Sequence, residues 1–157
     1  MVIEWDELFR AYPPLRIDFD SKDIPESIVR SFHEALSCHA HNCFVSAAIM
    51  VRRTLEEICV DRGATGRDLK ARIADLKGKV VLPEELFEAM DELRLLGNDA
   101  AHIEAKSYES IGTEELETAI EFTKEIMKGV YQYRGLLSKL RALKKTKEAE
   151  QDVPPNA

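Results

Sequence analysis

The chain has 157 residues, 45 % of them apolar and 32 % charged, with a formal net charge of −7. That length and balance fit one folded domain with its own core and exclude a disordered chain. The acidic total argues against nucleic-acid affinity spread over the whole surface, and no apolar run approaches the ~20 residues of a membrane span.

Residues 1–24 form an N-terminal extension. Met1 to Asp6 is acidic and lacks the basic start and apolar run of a secretion signal, so a cytoplasmic location is expected. Trp5, Leu8, Phe9 and Tyr12 have helical spacing, and Pro13-Pro14 ends that pattern. Leu15 to Asp20 alternates apolar and charged residues, which predicts an extended segment. With no partner strand elsewhere, it should lie across helices.

Residues 25–134 carry the main domain. Asp23, Pro25 and Glu26 signal a helix start, with Asp23 as the cap and Pro25 in the first turn. Ile28, Val29, Phe32, Ala35 and Leu36 make one apolar face, ending near His39. Asn42 is a candidate cap for a second helix, whose stripe is Phe44, Ala47, Ala48, Val51, Leu55 and Ile58, closed by Gly63. A shorter helix over 66–77 carries Leu69, Ile73 and Leu76. Pro83-Glu84-Glu85 opens the central helix, with Leu86, Met90, Leu93, Gly97 and Ala100 or Ala101 on its core stripe. A last helix opens at Thr113 and buries Leu116, Ala119, Ile120, Thr123, Met127 and Val130, its pattern weakening through Leu137 and Leu140. Residues 135–157 are a basic helix end and a tail that should be disordered from Gln151. The fold class is therefore all-α, a bundle of five to six helices with a short irregular extension.

The central helix also carries Arg94, Asn98 and His102 at i, i+4 and i+8, a cation, an amide and an imidazole on one face. These residue types suit phosphodiester chemistry: histidine moves a proton near neutral pH and arginine holds a phosphate. The plainer reading is that they tie the helix end to a neighbour. Their face borders the core stripe, so they should be partly buried, with at least one bond to another helix. Gly97 sits among them; a mid-helix glycine costs roughly 1 kcal/mol against alanine, and close approach of another backbone is the simplest reason for it.

Three stretches together, Ala47 to Glu56, Leu69 to Leu76 and Leu93 to His102, resemble the domain-of-unknown-function 4145 family, over about residues 25–133. That family is usually grouped with the HEPN-like superfamily of helical domains, whose members occur alone or joined to defence enzymes. The resemblance implies an all-α, commonly dimeric domain, and many such domains are metal-independent endoribonucleases. Their motif places an arginine four to six residues before a histidine, often with asparagine straight after the arginine. Here Asn98 and His102 fit, but Gly97 stands at the arginine position and Arg94 lies one turn earlier.

Arg52 and Glu56 sit i, i+4 on the second helix, off its stripe, and one of them is expected to reach Asn98 or Arg94. Glu56 is the nearest plausible partner for Arg94, in which case Arg94→Ala would cost several kcal/mol. His33, Cys38, His39, His41 and Cys43 form a dense cluster, yet only His39 and Cys43 are i, i+4, and no metal site or cofactor is expected. The odd cysteine count, with Cys59, points to reduced thiols. Arg141, Lys144 and Lys145, with Lys147, make a basic run that contacts RNA phosphates in one reading and is a solvated helix face in the other. A homodimer is expected through Phe87 and Leu95, a second semi-apolar face beside Asn98 and His102. The favoured function is a non-catalytic module that dimerises and binds a partner protein or nucleic acid, in a defence or stress system. The alternative is a metal-independent endoribonuclease using His102 and Arg94.

Overall fold

The computed structural model describes residues 13–104, 108 and 110–151, with side chains as far as Lys144. The expected helix over Trp5 to Tyr12, the tail from residue 152, and the side chains of Lys145 and Lys147 lie outside the described residues. Among the described residues six α-helices follow one another: α1 (Glu26–Ala40), α2 (Phe44–Asp61), α3 (Leu69–Leu76), α4 (Glu84–Ala101), α5 (Thr113–Met127) and α6 (Tyr133–Gln151), with a π-helical turn at Lys128–Gln132 joining the last two. No strand forms among the described residues, and no helix there is long and apolar enough to cross a membrane. The fold is an all-α bundle.

Helix α2 is the central element, packed against α1, α3, α4 and α5. Its apolar stripe explains this: Ala47, Ala48, Val51, Leu55 and Ile58 are all buried. Phe32, Leu76, Met90, Leu116 and Ile120 close around it. Two buried threonine hydroxyls are satisfied within their own helices. Thr54 Oγ1 donates to the Met50 carbonyl at 2.8 Å and Thr123 Oγ1 to the Ala119 carbonyl at 2.7 Å, so neither hydroxyl is stranded. The extended lead-in lies across α1, where Phe19 meets Phe32 edge-on at 4.7 Å and Leu15 stays exposed.

The helix boundaries differ from expectation in three places. Asp23 does not cap α1; it adopts a left-handed backbone (φ 62°), and Pro25 holds the cap position. Asn42 does not cap α2 but ends α1. It is left-handed (φ 58°), its N–H donates to the His39 carbonyl at 2.9 Å, and the Cys43 N–H reaches back to Cys38 at 2.8 Å. Gly63 (φ 68°) closes α2 with the same pair of bonds, to Val60 and Cys59. Both are Schellman motifs, which need a residue tolerant of positive φ. Helix α3 starts later than expected, at Leu69, because the Asp68 carboxylate accepts the Ala71 N–H at 2.9 Å.

The π-helical turn ties the bundle's end together. Tyr131 donates its hydroxyl to Asp61 at 2.8 Å, and Arg62 stacks over its ring at 4.5 Å. Burial, reinforced by Asp61, pushes the Tyr131 phenol well above its ordinary range. Gln132 Nε2 donates to the carbonyls of Asp20 and Lys22, at 2.9 and 3.0 Å, which anchors the lead-in. Gly129 faces the Leu82 side chain so closely that a β-carbon would overlap it.

Candidate functional site

The α2–α4 contact gathers the polar residues singled out in the sequence. Gly97 makes the contact possible: a β-carbon there would stand 2.5 Å from Arg52 Cβ and 3.0 Å from Arg52 Cδ. The Arg52 stem therefore lies flat across α4 at the only kind of residue that admits it. Its guanidinium then divides between two acceptors. Nε donates to Glu56 Oε1 at 3.1 Å, along its own helix, and Nη1 donates to Asn98 Oδ1 across to α4. Arg52 and Glu56 side chains are 25 % and 39 % exposed, so the network sits at the wall of a groove rather than in the core.

That groove, of about 750 Å3, runs along α2 and is lined by Arg52, Arg53, Glu56, Glu57, Arg72 and Gly97 among others. Its walls alternate cations and carboxylates. Arg53 Nε donates to Glu57 Oε1 at 3.2 Å, and Ser31 Oγ donates to the same oxygen at 2.8 Å. The charge in the groove is thus largely neutralised pair by pair.

Arg94 and His102 are placed differently. The expected Arg94–Glu56 pair does not form. Arg94 turns within its own helix, where Nε donates to Asp91 Oδ1 at 2.8 Å with 13 % of the side chain exposed. An i, i+3 partner is reached without any interhelical fit, and that proximity wins over Glu56, which Arg52 already holds. His102 is not on the helix face. It is the residue past the end of α4, its backbone extended (φ −128°, ψ 124°) and its side chain exposed. Only its N–H keeps the helical ladder, donating to the Asn98 carbonyl at 3.0 Å. The structure therefore brings Arg52, Glu56 and Asn98 together and leaves Arg94 and His102 outside the lining of the groove. Asp91 was overlooked in the sequence, although its i, i+3 spacing from Arg94 was there to see.

The histidine and cysteine cluster disperses. His41 Nδ1 meets the Ser37 carbonyl at 2.8 Å, His33 lies against Phe19, and His39 Nε2 lies 3.4 Å from Glu117 without hydrogen-bond alignment. Among the described residues no three His, Cys, Asp or Glu side chains converge on one point. Cys38, Cys43 and Cys59 are free thiols; Cys59 is buried in the core, and that burial pushes its thiol up to about 11. Arg141 and Lys144 lie exposed on α6.

A model of the family described as "Domain of unknown function (DUF4145)" matches residues 33–149. The chain belongs to the DUF4145 family. The match takes in all of the α2–α4 contact and runs on through nearly all of α6, well past the end at about residue 133 that the sequence suggested. In this DUF4145 domain, α6 is thus part of the family's own pattern rather than an appendage. No curated protein and no solved structure matches the chain.

Among the described residues, one surface of the DUF4145 domain is apolar and exposed. On α6, Tyr133, Leu136, Leu137, Leu140 and Leu143 are 48–66 % exposed. Their 3- and 4-residue spacing puts them on one side of a helix that packs on the π turn and on no other helix among the described residues. Of the surface expected to be apolar, Phe87 is buried in the core, 5 % exposed, at one edge of the inward-facing side of α4, and Leu95 is half-buried.

Proposed function

We propose that this DUF4145 domain is a non-catalytic, HEPN-like interaction module that works by docking α6 on a partner protein. The different engagement of the three motif residues carries the reading. Acid–base cleavage of a phosphodiester needs a histidine within ~3 Å of the proton it moves and a cation on the same phosphate. Here Asn98 is held by Arg52, Arg94 is held by Asp91, and His102 stands beyond the helix end. The Arg52 network does structural work, joining α2 to α4 at Gly97. The exposed apolar side of α6 is the surface with work left to do.

Incubation of the purified chain with mixed RNAs in the presence of a chelator tests this. The expected result is no cleavage above that of a folded His102→Ala variant. Cleavage that His102→Ala abolishes, with its circular dichroism unchanged, would overturn the reading in favour of a metal-independent endoribonuclease.

A further inference from the structure

We propose that α6 of one copy docks in the groove between α4 and α5 of a second copy, and the reverse, so that two equivalent helix-in-groove contacts pair the domain. The proposal rests on the interaction-module reading and names its partner. It begins from an amphipathic helix of 19 residues, about 28 Å long at 1.5 Å per residue. Tyr133, Leu136, Leu140 and Leu143 are spaced as the anchors of a helix that lies in an apolar groove. Gln132 fixes the root of the helix to the lead-in, so its apolar side is presented from a defined base.

The receiving groove is in the same chain. Between α4 and α5 lies a groove of about 370 Å3 with Leu93, Leu96 and Ala119 in its floor. Phe122, 41 % exposed, stands in its wall, and Glu92 and Glu114 edge it. Helix and groove are complementary in charge. Helix α6 carries six Lys or Arg against two Glu, whereas the rest of the chain has sixteen Lys or Arg against twenty-seven Asp or Glu. Pairing α6 with another α6 would set two basic helices side by side. Pairing it with the α4–α5 groove sets a basic helix against acidic edges and an apolar side against an apolar floor. A two-fold axis makes both contacts at once, as an isologous dimer requires.

Sedimentation of the full chain at tens of micromolar should show a dimer that weakens as salt is raised. Leu140→Glu, on the helix, and Phe122→Glu, in the groove, should each weaken it at least about tenfold without changing the helical circular dichroism. Glu114→Lys, an exposed charge reversal on the groove edge, serves if Phe122→Glu fails to fold. Mixing the Leu140→Glu and Phe122→Glu proteins should restore part of the dimer, since each mixed pair keeps one intact helix facing one intact groove. A monomeric wild-type chain would overturn the proposal. So would a dimer sensitive to Leu140→Glu but indifferent to Phe122→Glu and Glu114→Lys, which would mean α6 meets another α6. So would a monomer whose α6 binds single-stranded oligouridylate instead. A monomer that cleaves no RNA removes this pairing and leaves the module reading standing; a dimer with His102-dependent cleavage does the opposite.

Discussion

Gly97 decides whether α2 and α4 can touch. In an open helix, Gly→Ala stabilises by roughly 1 kcal/mol through backbone entropy. Here the new methyl group would meet Arg52 Cβ at 2.5 Å, an atom fixed to the α2 backbone and unable to swing aside. Overpacking of that kind costs about 1–3 kcal/mol, so the sign reverses: Gly97→Ala should lower the urea midpoint. Truncating Arg52 to alanine in the same protein should not rescue it, because Cβ remains. Arg94 has the opposite character. Its carboxylate partner, Asp91, is 43 % exposed and is not stranded when the guanidinium is removed. Arg94→Ala should cost only about 1 kcal/mol, mostly lost packing of the stem, in place of the several expected for a buried pair with Glu56. A calorimetric scan of the variant separates those values. The sequence made Arg94, Asn98, Arg52 and Glu56 visible as a group, since each sits at a helical interval from another. Which of them meet across the helix–helix gap depends on how α2 and α4 are rotated about their axes. No periodicity within a single helix carries that information.

At the level of elements, apolar spacing located α1 to α5, because α1, α3, α4 and α5 each bury one stripe against α2. The ends were less legible. Asn42 and Asp23 are good caps by composition, but both sit in left-handed backbone at a turn, a role that the same short polar side chains also fill. Helix α3, eight residues long, depends most on its ends. Asp68 accepts the Ala71 N–H, and Asp75 accepts the Thr65 N–H at 2.7 Å and the Thr65 hydroxyl at 3.3 Å. These backbone hydrogen bonds hold both carboxyls below their ordinary value of 3.8. A carboxyl lowered on folding stabilises the native state above its unfolded pKa and loses that contribution as pH falls through the folded one. Thermal stability should therefore drop as pH is taken below 3.8, and Asp68→Asn with Asp75→Asn should flatten that drop. A pH series of melting curves on both proteins checks it.

Across the whole molecule, the step from α5 to α6 was hidden in the sequence. Leu116, Ile120, Thr123 and Met127 face the core, and apolar residues beyond the turn, Tyr133, Leu137 and Leu140, look like a weakening of the same stripe. They belong to a different side. The five-residue turn at Lys128–Gln132 takes up one more residue than an α-helical turn needs, and each residue of an α-helix is worth about 100° of rotation. The turn works as a phase shifter between two helices that share one axis of chain. Upstream of it, the apolar rhythm is tuned to the interior; downstream, the rhythm has slipped out of step and broadcasts the same kind of residue to the outside. Inserting one alanine between Gln132 and Tyr133, beyond the turn, should swing the leucines of α6 by about 100° while leaving them on an intact helix. Helicity by circular dichroism should hold, and binding of an apolar fluorescent dye to α6 should change. Insertion of single residues beyond this turn would then be a means of re-aiming an interaction surface without altering one side chain on it.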